Sequence, residues 1–249
     1  TLSLHDALPI LRDIYDQGEQ LLLISTDRLS AFDRAIALIP HKGDVLNQLS
    51  AWWFNETKHI IANHMLDVPA PCAMQVKKCQ PLAIEMVVRG YITGSTNTSL
   101  WTLYNSGQRE FFGVTLPDGV QKNTRLATPM LTPTSKSKDH DEPLELIDIQ
   151  NIPHMTPALW EQMSTAAIRL FEFASTRLWQ QGLIIADTKY EFGLDADGTL
   201  LLIDELHTPD SSRLWEAQSY DERISQNLEP VMLDKENTTS HTLRHTAEG

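Results

Sequence analysis

Asp187, Lys189 and Glu191 occupy alternate positions in the run Ile185-Ala186-Asp187-Thr188-Lys189-Tyr190-Glu191-Phe192-Gly193. If that run is a strand, side chains two apart share a face, so two carboxylates and an ammonium project together. A second run, Thr199-Leu200-Leu201-Leu202-Ile203, follows a turn at Asp195-Ala196-Asp197-Gly198 and leads into Asp204-Glu205. Pairing Leu194 with Thr199 sets Asp204 opposite Lys189 and diagonal to Glu191, on the same face. Two acids combined with nucleotide phosphates are the usual way of holding Mg²⁺. A lysine between them can neutralise a phosphate or acyl oxygen as charge develops. The alternative is a solvated face with an ordinary Lys–Asp cross-strand pair, worth roughly a few tenths of a kcal/mol.

Two further segments offer anion chemistry. Thr208-Pro209-Asp210-Ser211-Ser212-Arg213-Leu214-Trp215 directly follows the second run, and its Ser-Ser-Arg can hold a phosphate through hydroxyls, backbone N–H groups and a forked guanidinium. Upstream, Arg89-Gly90-Tyr91-Ile92-Thr93-Gly94-Ser95 follows another apolar run, and Gly94-Ser95 would let backbone approach an anion closely.

The elements that must position these groups are partly legible. Leu11 to Tyr15 and Gln20 to Ile24 flank Asp16-Gln17-Gly18-Glu19 and read as a hairpin. Ser50 to Ala62, with Trp52, Trp53, Ile60 and Ile61 among polar residues, reads as a helix. Pro69-Ala70-Pro71 breaks the chain, and Leu82 to Val88 reads as a buried strand. Residues 113–155, rich in Pro, Asp, Thr and Lys, read as a long loop, and loops of that length are usually functional or mobile. Thr156 as N-cap and Pro157 at the first helical position open a helix. Its core stripe is Leu159, Met163, Ala166, Leu170, Ala174 and Leu178, and Gly182 stands at its stop.

Composition narrows the function. At 41% hydrophobic and 21% charged residues, the 249-residue chain is ordinary for a globular protein. A formal net charge of −13 argues against nucleic acid as a partner, since binding it needs clustered Lys and Arg. No apolar run reaches the roughly 18 residues of a membrane span, so no membrane partner is expected. Cys72 and Cys79 read as ordinary thiols of a reducing, cytoplasmic compartment, not as zinc ligands. Residues 1–10 lack a basic n-region and a long apolar stretch, and are set aside as a leader outside the fold.

Taken together, these strings resemble the signatures of the SAICAR synthetase family. They are Glu85 to Ser95, Ile185 to Gly193, and Asp204-Glu205 with Thr208 to Arg213. Thr26 to Asp33, and Leu131 to Lys136 with His140-Asp141, are similar to the family's longer bacterial and fungal branch. The likeness covers roughly Arg12 to Glu236, in order, and several long strings in order are specific. It implies a carbon–nitrogen ligase that joins L-aspartate to the carboxyaminoimidazole ribonucleotide CAIR, using ATP and Mg²⁺. The CAIR carboxylate would be activated as an acyl phosphate.

The resemblance also implies an α+β, two-lobed fold with the ATP site between the lobes. A β-rich lobe is expected over residues 11–84, a larger α+β lobe over 85–236, and a disordered tail over 237–249. Residue by residue, Glu191 and Asp204 match magnesium-binding acids, and with Lys189 the nucleotide site. Lys189 and Asp187 match groups at the reacting centre. Arg89, Ser95, Asp210, Ser212 and Arg213 match the CAIR site, and Lys136 and His140 fall in a loop near the substrates.

Two departures carry an expectation of their own. The family's Gly-Lys-Val, whose lysine approaches the ATP phosphates, is replaced by Pro9-Ile10-Leu11, and the polar end from Asn237 replaces a helical tail. A catalytically impaired nucleotide-binding remnant of the family is therefore the alternative expectation. A phosphotransferase on a kinase-like scaffold is a further one, but the His-Arg-Asp loop that would mark it is missing from the sequence.

Overall fold

The computed structural model describes residues 12–31, 34–96, 98–135, 144, 146–149 and 151–233. These residues divide into two compact units. One holds those before Leu82 together with Phe192–Thr208, and the other holds Leu82–Glu191 with those from Pro209 onward. The contiguous division at residues 84 and 85 expected from sequence thus differs from the observed one, in which a late segment joins the first unit.

The first unit begins with β1 (Arg12–Asp16), β2 (Gln20–Ser25), β3 (Arg28–Ala31), β4 (Arg34–Leu38), α1 (Lys42–Glu56), β5 (Met65–Ala70) and β6 (Ala73–Lys77). β1, β2, β6 and β5 form an antiparallel sheet in that order. The expected hairpin is there, with Ile14 opposite Leu23 and Asp16 opposite Leu21. Its turn is closed by the Gly18 N–H donating to Asp16 Oδ1 at 2.8 Å.

Helix α1 packs on β2, β5 and β6, burying Leu46, Asn47, Ser50, Ala51, Trp53 and Phe54 at helical spacing. It starts eight residues before the expected Ser50 and ends six before Ala62, because its cap comes from afar. Asp27 accepts the N–H of Gly43 at 3.0 Å and that of His41 at 3.2 Å, satisfying donors a helix start leaves open. Gly43 is required by closeness: a Cβ there would lie 2.3 Å from the Ser25 carbonyl oxygen.

The second unit is built on β7 (Gln80–Tyr91), whose first two residues belong to the first unit. There follow α2 (Leu100–Asn105), β8 (Glu110–Phe111), β9 (Val114–Thr115), β10 (Arg125–Leu131), β11 (Thr134–Ser135), α3 (Leu146–Ile149), α4 (Pro157–Trp179) and β12 (Leu183–Leu194). After β13 (Leu200–Ile203), which lies in the first unit, come β14 (Ser212–Glu216) and α5 (Tyr220–Ser225). β10 and β11 pair antiparallel with β7, β12 lies on its other side, and β14 pairs antiparallel with β12.

Residues 113–155 are therefore not one loop, since β10 runs through them. Pro129 hides that strand from a sequence reading. It is tolerated because β10 is an edge strand with an irregular register between Arg125 and Met130.

Helix α4 forms as its signals imply. Thr156 Oγ1 accepts the Leu159 N–H at 3.1 Å, Pro157 opens the first turn, and Gly182 follows with φ 75°. Met163, Leu170 and Phe171 are fully or almost fully buried, each worth about 1.5–3 kcal/mol in area removed from water. Gly90 of β7 admits the Phe171 ring, which a Cβ would meet at 2.9 Å.

Segment Phe192–Thr208 belongs to the first unit through bonds distant in sequence. Leu202 donates to Ala62 O at 2.9 Å, His64 donates to Leu202 O at 3.0 Å, and Leu206 donates to Ser50 Oγ at 3.0 Å. Among the described residues, no helix is long and apolar enough to cross a membrane.

Candidate active site

Alternation along β7 and β12 puts charges on one face of the second unit. β7 contributes Glu85 and Arg89, four apart, and β12 contributes Asp187, Lys189 and Glu191. All but the half-buried Lys189 are buried, so their charges need partners. Arg89 Nη1 donates to Asp187 Oδ2 at 3.2 Å, and its Nε donates to Thr132 Oγ1 at 2.8 Å. Burial lowers the Arg89 pKa, Asp187 opposes that shift, and the nearby Arg213 charge adds to it. Arg213 Nη1 donates to the same Asp187 oxygen at 2.7 Å.

β14 delivers Arg213 there by register, Asp187 facing Arg213 and Thr188 facing Ser212, after an irregularity that absorbs Ala186. Thr188 Oγ1 and Ser212 Oγ lie 2.8 Å apart, so the Ser-Ser-Arg turn is tied to β12 by side chains as well as by backbone. Gly94 completes this corner. Its φ is 101°, and a Cβ would lie 2.4 Å from Ser99 Cβ and 3.5 Å from Arg213 Nη2. Ser95 is exposed beside it, and Asp210 is half-buried in the turn before β14.

Lys189 forms the other half of the face. Its Nζ donates to Glu191 Oε1 at 2.7 Å and to Glu85 Oε1 at 2.9 Å. Glu85 is a residue the sequence reading missed as part of the site. The available signal was its four-residue spacing from Arg89 within an otherwise apolar strand.

Asp204 belongs to the first unit. β13 ends at Ile203 and Asp204 takes φ 71°, so strand alternation does not set its side chain opposite Lys189. Instead Arg12 of β1 engages it through Nη1 and reaches Glu205 Oε1 with Nη2 at 3.0 Å. The His64 ring hydrogen-bonds the Asp204 backbone, and burial pushes this imidazole down to about 4. Arg12 and His64 also escaped the sequence reading, because Asp204 is far from both along the chain, 192 residues from Arg12. Lys136, His140, the Pro9-Ile10-Leu11 junction and the tail from 237 lie outside the described residues. Cys72 and Cys79 are free thiols, and among the described residues no group of three or more His, Cys, Asp or Glu is arranged to hold a metal.

Two guanidiniums and an ammonium, each fixed by a carboxylate beside a serine-rich turn, suit the phosphorylated, multiply anionic ligands of a nucleotide-using enzyme. The chain belongs to the SAICAR synthetase family, whose model matches residues 11–246. It is 50% identical over 226 residues to the phosphoribosylaminoimidazole-succinocarboxamide synthase of Legionella pneumophila (strain Lens), covering 91% of this chain and 72% of that one. The chloroplastic synthase of Arabidopsis thaliana is 54% identical over 91% of this chain, which spans 55% of that longer protein. Among solved structures, the Saccharomyces cerevisiae SAICAR synthase complexed with SAICAR is similar at TM-score 0.75 and 30% identity, with 88% of this chain and 80% of that one covered. Another SAICAR synthase matches at TM-score 0.79 and 28% identity, over 100% of this chain and 89% of its own.

Proposed function

We propose that this chain is an ATP-dependent ligase of purine biosynthesis that joins L-aspartate to CAIR, giving SAICAR, ADP and phosphate. Family membership supports this, as do the names of the relatives at 50% and 54% identity and the SAICAR bound to the yeast relative. In this chain the observation that carries it is the pair of guanidiniums, Arg89 and Arg213, gathered on one oxygen of Asp187.

In the proposed reaction the CAIR carboxylate attacks the terminal phosphorus of ATP, forming an acyl phosphate and releasing ADP. The amine of aspartate then attacks the acyl carbon and loses a proton as inorganic phosphate leaves. All the substrates are anions, so a few fixed cations must work against the acidic chain. Arg213, with Arg89, Ser95, Asp210 and Ser212, is assigned to CAIR, the guanidinium forking onto its phosphate. Asp187 orients both arginines and stands at the reacting centre. Lys189 offers its ammonium to the oxygen on which charge develops. Lys136 and His140 are assigned to the substrates from their place in the sequence.

The family implies magnesium, and the donor chemistry fits it. Glu191 and Asp204 are both carboxylates already facing a cation, Lys189 and Arg12 respectively. Mg²⁺ needs only one or two protein carboxylates because it keeps waters and phosphate oxygens, so a three-acid cluster is not required. Each acid is a candidate ligand, and the ion would supply neutralisation of phosphate charge. We assign the cytoplasm as the compartment, which suits free thiols at Cys72 and Cys79.

The test is ADP release with each substrate omitted in turn. Ligation requires ATP and CAIR for ADP and all three substrates for SAICAR. ADP formed equally fast without CAIR overturns the assignment.

A further inference from the structure

We propose that Glu85 is a positioning residue that fixes the Lys189 ammonium for the reaction. This rests on the ligase assignment above and adds a residue to it. Glu85 is 7% exposed, and no step of the ligation makes use of its carboxylate. Burying a carboxylate is unfavourable unless a cation and hydrogen bonds compensate, and Lys189 is the cation Glu85 faces, at 2.9 Å.

Lysine is a point charge on a flexible four-carbon stem, and the Lys189 side chain is 32% exposed. Unanchored, it would spread over many rotamers and place its charge poorly. Here two carboxylates take it from two strands, Glu85 on β7 and Glu191 two residues away on β12 itself. Glu191 is assigned to magnesium, so its oxygens are shared when the nucleotide is loaded. Glu85 has no such second duty. It holds the ammonium while Glu191 changes partner. Thr134 of β11, opposite Glu85 in the ladder, fixes the β7 backbone at this point from the other side.

The test uses the full chain with Glu85→Gln, Glu85→Asp and Lys189→Met, read by steady-state kinetics and by ¹⁵N resonances of the lysine ammonium groups without ligand. Glu85→Gln should lower kcat about 10–100-fold, the usual effect of losing a supporting partner, with the CAIR KM within about twofold. Glu85→Asp, which keeps the charge, should recover part of the loss and gives a second arm if the Gln variant folds poorly. In a Lys189→Met background Glu85→Gln should add nothing further. The Lys189 ammonium resonance should move in Glu85→Gln, while that of Lys77, paired with Asp195, should not.

A Glu85→Gln enzyme with unchanged kcat, an equal loss in the Lys189→Met background, or an unmoved Lys189 resonance would each overturn the proposal. If the unaltered chain makes no SAICAR, the ligase assignment fails by itself. The resonance still decides whether Glu85 holds Lys189.

Discussion

Arg213 reaches Asp187 across two antiparallel strands in direct register, its Nη1 donating to Asp187 Oδ2 at 2.7 Å. The carboxylate holds the guanidinium in one orientation, and a lysine could not reproduce its planar fork. Arg213→Lys should therefore raise the CAIR KM by about tenfold or more while changing the ATP KM by less than about twofold. Initial rates with each substrate varied will show it, and an equal loss of affinity for ATP would contradict the assignment to CAIR.

Glu191→Gln removes a negative charge from the group assigned to magnesium but leaves Lys189 its bond to Glu85. The Mg²⁺ concentration for half-maximal rate should rise by about tenfold or more, since affinity for hard cations follows ligand charge. A magnesium titration of the rate checks this. An unaltered midpoint removes Glu191 from the ligand set.

Asp27 caps α1 from outside the helix, through Gly43 and His41. Asp27→Ala should cost about 1 kcal/mol of stability, and Asp27→Asn, which keeps an acceptor, less than half of that. Thermal denaturation of the three chains ranks them, and equal melting temperatures would mean that water serves those N–H groups as well.

Burial pushes the His207 imidazole from 6.5 down to about 3. The folded value lies below the unfolded one, so between these limits the unfolded chain carries the extra proton. Stability then rises with pH through that window and is lost as pH falls from 6.5 toward 3. The full effect is on the order of 5 kcal/mol, with His64 acting in the same direction. His207→Asn, which tolerates the left-handed φ of 51°, should flatten this slope. Denaturant unfolding at several pH values measures it, and parallel curves for the two chains would refute the assignment.

The parts of the fold legible in sequence are those whose causes are local. α4 announces itself through Thr156, Pro157 and a stripe at spacings of three and four, and β12 through its charged alternation after an apolar start. α1 was misplaced because Asp27, fourteen or more residues upstream, determines its start. β10 was missed because a proline is permissible only once its edge position is known. Within the site, Asp187, Lys189 and Glu191 share a face as their spacing implies. At Asp204 a left-handed residue ends the alternation on which its expected place depended, and Arg12 and His64 are the partners that hold it. The grouping of Phe192–Thr208 with the first unit depends on bonds to Ala62, His64 and Ser50 that no local pattern encodes.

On the second unit's charged face, Arg89, Lys189 and Arg213 meet Glu85, Asp187 and Glu191, three cations with three carboxylates. An arriving anion therefore finds every one of these cations already engaged by a competitor tethered at very high local concentration. Chloride or free phosphate can displace only one such competitor, for little return. A ligand with a phosphate and a carboxylate at the right separation displaces several at once. Ion pairs arranged this way favour a multiply charged molecule whose groups match their spacing over a small anion that can meet only one of them.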